Sequence, residues 1–279
     1  MNGQERRKYI REFEQIQSRF RRKYYPAVLK GIKSVLSSLI SSIKEKGLRE
    51  ASNDLQILLV NEDLTAPLLK LYKDVGVYHA KRNARLIKQD ISRKGIFSDP
   101  EWLQKLMDLL KRTFLEFAVI KPTETFRNHL LKVLLDGIAN ESSVDEMVKL
   151  IENDSFARYQ AERIVRTECG RAANTGVKIS ADAFEYEMEK EWIAFRDFRT
   201  RGQKPKDKKD HYHLDGVVVD YNEPFVDPKS GERIDYPQAP KGSAAMVINC
   251  RCSYAVRAKR DEHDRLIPRT NFIPRPIKM

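Results

Sequence analysis

The sequence predicts an α+β protein: a mainly helical N-terminal two thirds followed by a small loop-rich region with short strands. Three observations predict it. Apolar residues recur at spacings of three and four through the first two thirds of the chain, the period of an amphipathic helix. Capping and breaking residues punctuate these stretches. After Glu191 the pattern changes to short β-branched and aromatic runs separated by Gly and Pro.

Taken in order, Tyr9, Ile10, Phe13, Ile16 and Phe20 form the apolar face of a first helix whose other faces are rich in arginine. Pro26 predicts a break, and Val28, Ile32, Val35, Leu36, Leu39 and Ile43 a second helix ending at Lys46-Gly47. Ser98-Asp99-Pro100-Glu101 reads as a helix start, with Trp102, Leu103, Leu106, Leu109 and Leu110 as its buried face. Lys121-Pro122-Thr123 breaks the chain and opens a helix carrying Phe126, Leu130, Leu131, Val133 and Leu134. Ser143 and Glu146 have the spacing of a capping box, before Met147, Leu150 and Ile151. Ala157 to Glu189 reads as helix, with Thr175-Gly176 as an interruption. Strands are expected at Trp192–Phe195, Gly216–Val219, Val247–Asn249 and Ser253–Val256. The organisation read from this is a helical docking region at 1–156, a compact module at 157–260 and an extended basic tail at 261–279.

The chain has 279 residues, 41% of them hydrophobic and 33% charged, with a formal charge of +12. A core is within reach, and the charge favours an anionic partner. Arg6, Arg7, Arg11, Arg21, Arg22 and Lys23 are the best group for contacting DNA phosphates. No recognition helix is evident, so such binding would be sequence-independent. The lysine-rich stretch 202–210 reads as a solvated loop. Three cysteines are too few for a disulfide scaffold and fit a reduced compartment. The N-terminus lacks the apolar core of a signal peptide, and no apolar run is long enough to span a bilayer.

Four pieces in the last part of the chain carry chemical information. They are Arg166-Thr167-Glu168, Asp197-Phe198-Arg199-Thr200-Arg201, His211-Tyr212-His213-Leu214-Asp215-Gly216 and Asn249-Cys250-Arg251-Cys252. Cysteines two apart pair poorly with each other in a disulfide, but as thiolates they can bind one metal ion. Cys250, Cys252 and His211, with His213 or Asp197 as a fourth ligand, make a candidate zinc set. The alternative is two small thiols packing a loop-rich core. His211, Asp197 and Glu168, with the nearby arginines, could in principle serve a nuclease or hydrolase. No phosphate-cradling glycine loop, HExxH or paired-acid metal motif supports this.

In this order, with Trp192 heading a strand, these pieces resemble the phage Mu F-like head-morphogenesis family. The residues that carry the resemblance are Arg166, Thr167, Glu168, Trp192, Asp197, Arg199, Arg201, His211, Asp215, Gly216, Asn249 and Arg251. The nine residues Gly202 to Asp210 between Arg201 and His211 depart from the family pattern, as does the approach to Asn249 through Tyr236-Pro237-Gln238-Ala239-Pro240. The resemblance implies a minor head protein of a tailed phage or prophage. Its partners would be the portal protein or major capsid protein, its place the virion, and the host cytoplasm during assembly. No catalytic activity is expected. A non-specific DNA-binding protein is the alternative, ahead of a His-dependent hydrolase.

Overall fold

The computed structural model describes residues 1–58, 62–91 and 120–270. The expected helix at Ser98 to Leu110 and the tail from 271 onward lie outside the described residues. The elements run α1 (Gly3–Lys46), α2 (Leu48–Leu58), α3 (Glu62–Ile91), α4 (Ile120–Ala139), α5 (Val144–Glu152), α6 (Asp154–Asp182), β1 (Met188–Ile193), β2 (Val218–Asp220), β3 (Phe225–Val226), β4 (Arg233–Ile234), α7 (Ala244–Val247) and β5 (Ser253–Ala258). The fold is thus helical for its first two thirds and strand-and-loop built after that, as the sequence predicts. No helix among the described residues is long and apolar enough to cross a membrane.

The first helix corrects one expectation. α1 runs unbroken through Pro26. Proline in a helix interior costs about 3 kcal/mol, by removing one N–H and crowding the preceding turn. Tyr24, Val28, Ile32, Val35, Leu36, Leu39 and Ile43 are all buried at a helical period on either side of it. Each such side chain gains about 1.5–3 kcal/mol on burial, so the shared face outweighs one proline. The helix ends where expected: Gly47 follows Lys46 with φ +83°, and its N–H reaches the Ile43 carbonyl. The capping box is also present, with Ser143 Oγ accepting from Glu146 N–H and the Glu146 carboxylate accepting from Ser143 N–H.

The chain forms two compact units, each discontinuous in sequence. Among the described residues, one comprises 20–58, 62–72 and 120–168, and the other 1–19, 73–91 and 169–270. The first is all helix. Its core contains Ile32, Leu39 and Ile43 of α1, Leu55 of α2, Leu64 and Leu68 of α3, and Phe126 and Leu130 of α4.

The second unit holds the strands. β1 is central in an antiparallel sheet of order β2-β1-β5, with Trp192 opposite Tyr254 and Lys190 opposite Val219 and Val256. β3 and β4 form a separate two-stranded ribbon. The core gathers Ala84, Ile87 and Val177 from the helices with Phe184, Trp192, Leu214, Phe225, Met246, Cys250, Cys252 and Tyr254.

Two further expectations are corrected here. α6 is not interrupted at Thr175-Gly176 and ends at Asp182, short of Glu189. A Cβ on Gly176 would lie 2.3 Å from the Gly76 carbonyl oxygen, so this glycine lets α6 and α3 approach closely. Val247 to Asn249 is not a strand. Val247 closes the single turn α7, and Asn249 takes a positive φ of 57°. A short apolar run does not separate turn from strand by periodicity. Here the turn buries Met246 fully.

Candidate functional site

The motif residues of the strand-and-loop unit are used largely on one another. Asp197 opens an Asx-type turn, its Oδ1 accepting from Arg199 N–H at 3.0 Å and its backbone carbonyl from Thr200 N–H at 2.8 Å. Arg251 grips the same carboxylate through both guanidinium ends, one at 2.8 Å, and lies over the Phe195 ring. Burial pushes the Asp197 carboxyl up, but the hydrogen bonds and charge of Arg251 outweigh it and hold the pKa at about 2. Arg201 donates to the Ile248 carbonyl. Thus the turn at 197–201 is tied at both ends to the segment 248–251.

The nine-residue stretch Gly202–Asp210 does not separate the two motifs in space. The Arg201 carbonyl accepts from both His211 N–H (3.0 Å) and Tyr212 N–H (2.9 Å), closing the stretch into a loop. Within it, Asp207 accepts from Gly202 and Lys204 N–H. Asp215 then accepts from Ala194 N–H at 2.9 Å, with Arg6 and Arg196 near its other oxygen. Gly216 has φ +85°, and a Cβ there would meet the Arg6 guanidinium at 3.0 Å. The positive φ favours glycine at this turn, and the close guanidinium adds to that preference.

These ties bring His211, Cys250 and Cys252 together, all buried. His211 Nδ1 lies 3.5 Å from Cys250 Sγ and 3.6 Å from Cys252 Sγ. A tetrahedral zinc with Zn–S of about 2.3 Å and Zn–N of about 2.05 Å requires a sulfur–nitrogen separation of about 3.6 Å. Both sulfur–nitrogen separations therefore match the spacing such an ion needs. Ring position is fixed from the far side, where His211 Nε2 faces Met246 Sδ at 3.1 Å, and by the Trp192 ring packed edge-on at 5.5 Å.

The electrostatics agree. Burial pushes the Cys250 thiol up, but a hydrogen bond from Cys252, the adjacent His211 and Arg201 together hold it well below the usual thiol range. Cys252 is pushed well above that range by its hydrogen bond to Cys250, then by burial and the charge on Cys250. One thiolate is thus favoured by the protein alone, and a cation would favour the second. Among the described residues the buried indole N–H of Trp192 has no acceptor at full hydrogen-bond geometry, yet it is near enough to Cys252 to favour its thiolate. A metal-bound sulfur would supply the acceptor this N–H lacks.

Other predicted site residues lie elsewhere. His213 is not brought to the cluster: its side chain is 64% exposed and its Nδ1 is 2.7 Å from Asp210. Asp197 is occupied by Arg251. Arg166 pairs with Glu162, and Glu168 is buried and accepts from the Tyr72 hydroxyl; both belong to the all-helical unit. Asn249 sits in the left-handed conformation between Ile248 and Cys250. Arg199 is exposed beside Asp197. In the basic group, Arg7, Arg11, Arg22 and Lys23 are exposed and Arg21 partly so. Arg6 is half-buried and paired with the buried Glu191 and with Asp215.

Sequence reading missed the polar clamp behind the cysteines. Asn174 Nδ2 donates to the carbonyls of Pro237 and Cys252, its Oδ1 accepts from Ser253 Oγ, and its backbone carbonyl accepts from Tyr254 OH. Gln238 Nε2 donates to the Cys250 carbonyl, and Gln238 itself has φ 63°. Asp227, fully buried, accepts from Asp210 N–H and Ser230. None of these carries a spacing signal. An Asn inside a helix and a Gln in a proline-rich loop read as ordinary polar residues.

This arrangement defines a class: a helical protein with a compact strand-and-loop module whose loops are pinned by ion pairs and a His–Cys–Cys cluster able to hold a metal ion. Residues 128–255 match the family described as Phage Mu protein F like protein. The chain is also similar to the uncharacterized protein YqbB of Bacillus subtilis (strain 168). The two are 24% identical over 263 residues, 88% of this chain and 77% of that protein. No solved structure matches.

Proposed function

We propose that this protein is a non-catalytic head-assembly component of a tailed bacteriophage or prophage, binding the portal protein or major capsid protein and holding a structural zinc ion at His211, Cys250 and Cys252. The observation that carries this reading is the family match over 128–255, which spans the pinned module and its motif residues. Zinc is favoured over other ions by the donor set, two thiolates and an imidazole, and by the sulfur–nitrogen spacing. When bound, it would neutralise the thiolates and cross-link the loop at His211 to the start of β5.

A non-catalytic role is supported by how the candidate acids and bases are engaged. Asp197 is held by Arg251, Glu168 by Tyr72 and His213 by Asp210, while His211 is 2% exposed. Its working place would be the virion, at the portal or inside the head, after assembly in the host cytoplasm. Packaged double-stranded DNA is a second partner favoured by one observation, the exposure of Arg7, Arg11, Arg22 and Lys23 on α1 of a chain with charge +12.

The test is co-expression with the portal protein and with the major capsid protein of the same phage or prophage, read by native mass spectrometry. A complex of defined stoichiometry is expected at low and moderate salt. No complex with either partner would contradict the reading, and DNA cleavage abolished in His211→Ala would replace it with the hydrolase reading.

A further inference from the structure

Strand β1 places a lysine where its pattern calls for an apolar residue. Met188, Lys190 and Trp192 alternate on one face of the strand, and Met188 and Trp192 belong to the core. Lys190 is 4% exposed, among the least exposed charged residues of the strand-and-loop unit. Its ammonium lies over the Phe225 ring at 5.2 Å and the Tyr221 ring at 5.9 Å. It donates one hydrogen bond, to the Asp235 carbonyl at 2.6 Å. Among the described residues no carboxylate lies within ion-pair distance of it, so two of its three protons lack a partner.

Such an arrangement is costly unless something completes it, because a buried ammonium without a counter-charge loses its hydration and gains little in return. Burial accordingly lowers the Lys190 pKa to about 8, with Asp235 opposing the shift. Beside these contacts, Lys190 borders open space. It lines a cavity of about 180 Å³ with Lys178, Tyr221, Asn222, Asp235, Tyr236 and Tyr254. The other polar groups of the wall are mostly committed. Lys178 bonds to Asp182, Tyr221 OH to Asp182 and the Lys178 carbonyl, Tyr236 OH to Thr175, and Tyr254 OH to the Asn174 carbonyl. The Asp235 carboxylate is on the exposed rim.

We propose that this cavity is a binding site for a carboxylate carried on a small apolar or aromatic body, with Lys190 as its anchor and Tyr221, Tyr236 and Tyr254 as its walls. The carboxylate fills the free donors of Lys190, and the rings enclose the rest. The volume suits one aromatic acid or the last residue of a peptide chain, but not a nucleotide.

The probes are 4-fluorobenzoate, its neutral analogue 4-fluorobenzamide, and a tetrapeptide ending in 4-fluorophenylalanine as free acid and as amide. Binding to the full-length protein is followed by fluorine NMR line broadening. We expect saturable binding of at least one acid, at least tenfold weaker binding of its amide, and loss of binding in Lys190→Gln. Asn222→Trp, which alters only an exposed residue at the mouth, blocks the cavity while leaving Lys190 in place, so it should lose binding even if Lys190→Gln folds poorly. Benzoate binding alone identifies a free acid as the ligand; tight peptide-acid binding identifies a partner's C-terminus. No acid binding, equal binding of acid and amide, or binding unchanged in Asn222→Trp would overturn the proposal.

Discussion

The all-helical unit and the strand-and-loop unit hold themselves together by different means. In the first, Ile32, Leu39, Ile43, Leu64, Leu68, Phe126 and Leu130 are buried at helical spacing, and the backbone satisfies its own hydrogen bonds. In the second, β3 and β4 have two residues each and β2 has three, so loops carry much of the backbone. Those loops are tied by side chains: Asp197 to Arg251, Asp215 to Ala194, Asp227 to Asp210, and Asn174 to two segments at once. The difference teaches where each unit is vulnerable. A helix face tolerates a flaw such as Pro26, whereas a pinned loop depends on particular polar atoms and, in our reading, on a metal ion.

The largest effect should come from the metal. Replacing Cys250 and Cys252 together by serine should cost on the order of 5 kcal/mol or more in urea unfolding, because binding free energy of a structural zinc is folding free energy. Leu39→Ala in the all-helical unit should cost about 3 kcal/mol. Hydrogen exchange after chelation should rise in residues 194–256 and stay unchanged in 20–58. Equal loosening of both regions would erase the comparison. Asn174→Ala follows in size, at roughly 2–4 kcal/mol, since several buried partners lose their bonds at once. A cost under about 0.5 kcal/mol would show that the clamp is dispensable.

Acid should act next. His79 is buried beside Gln17 and Arg82, and burial, then the Arg82 charge, lower its pKa to about 3. The unfolded chain therefore takes up a proton below pH 6.5 that the folded chain refuses. Stability should fall by about 1.4 kcal/mol per pH unit from pH 6.5 toward 3 on this account. His79→Gln should flatten that slope, and an unchanged slope would refute the assignment. Asp197 works over a lower window. Its folded pKa is depressed to about 2, so its contribution is full above about pH 3.9 and is lost as pH falls through 2. In Arg251→Met that loss should be absent below pH 4.

How legible each unit was follows the same division. The helices showed in the spacing of Val28 to Ile43 and in the Ser143 capping box, because both signals are local. Pro26 misled because its cost is local while the burial that overrides it is spread along the helix. The His–Cys–Cys cluster was legible as residue types, but that His213 and Asp197 do not join it depended on their pairing with Asp210 and Arg251, which spacing does not reveal. Asn174, Gln238 and Lys190 were not legible at all. Each matters through partners dozens of residues away, which no spacing rule reaches.

The smallest stability effect is expected on the basic helix. Gln at Arg7, Arg11 and Arg22 should change stability by less than about 0.5 kcal/mol, while lowering the salt dependence of DNA binding by up to about three counterions. An unaltered salt slope would remove α1 as the DNA contact.

Metal analysis of the protein purified without chelator tests the central claim most directly. The account predicts about one zinc per chain, absent in the Cys250→Ser, Cys252→Ser variant, and a marked fall in thermal midpoint on chelation. Metal-free protein that is fully folded and keeps its midpoint in chelator would contradict it, leaving Cys250 and Cys252 as packed thiols.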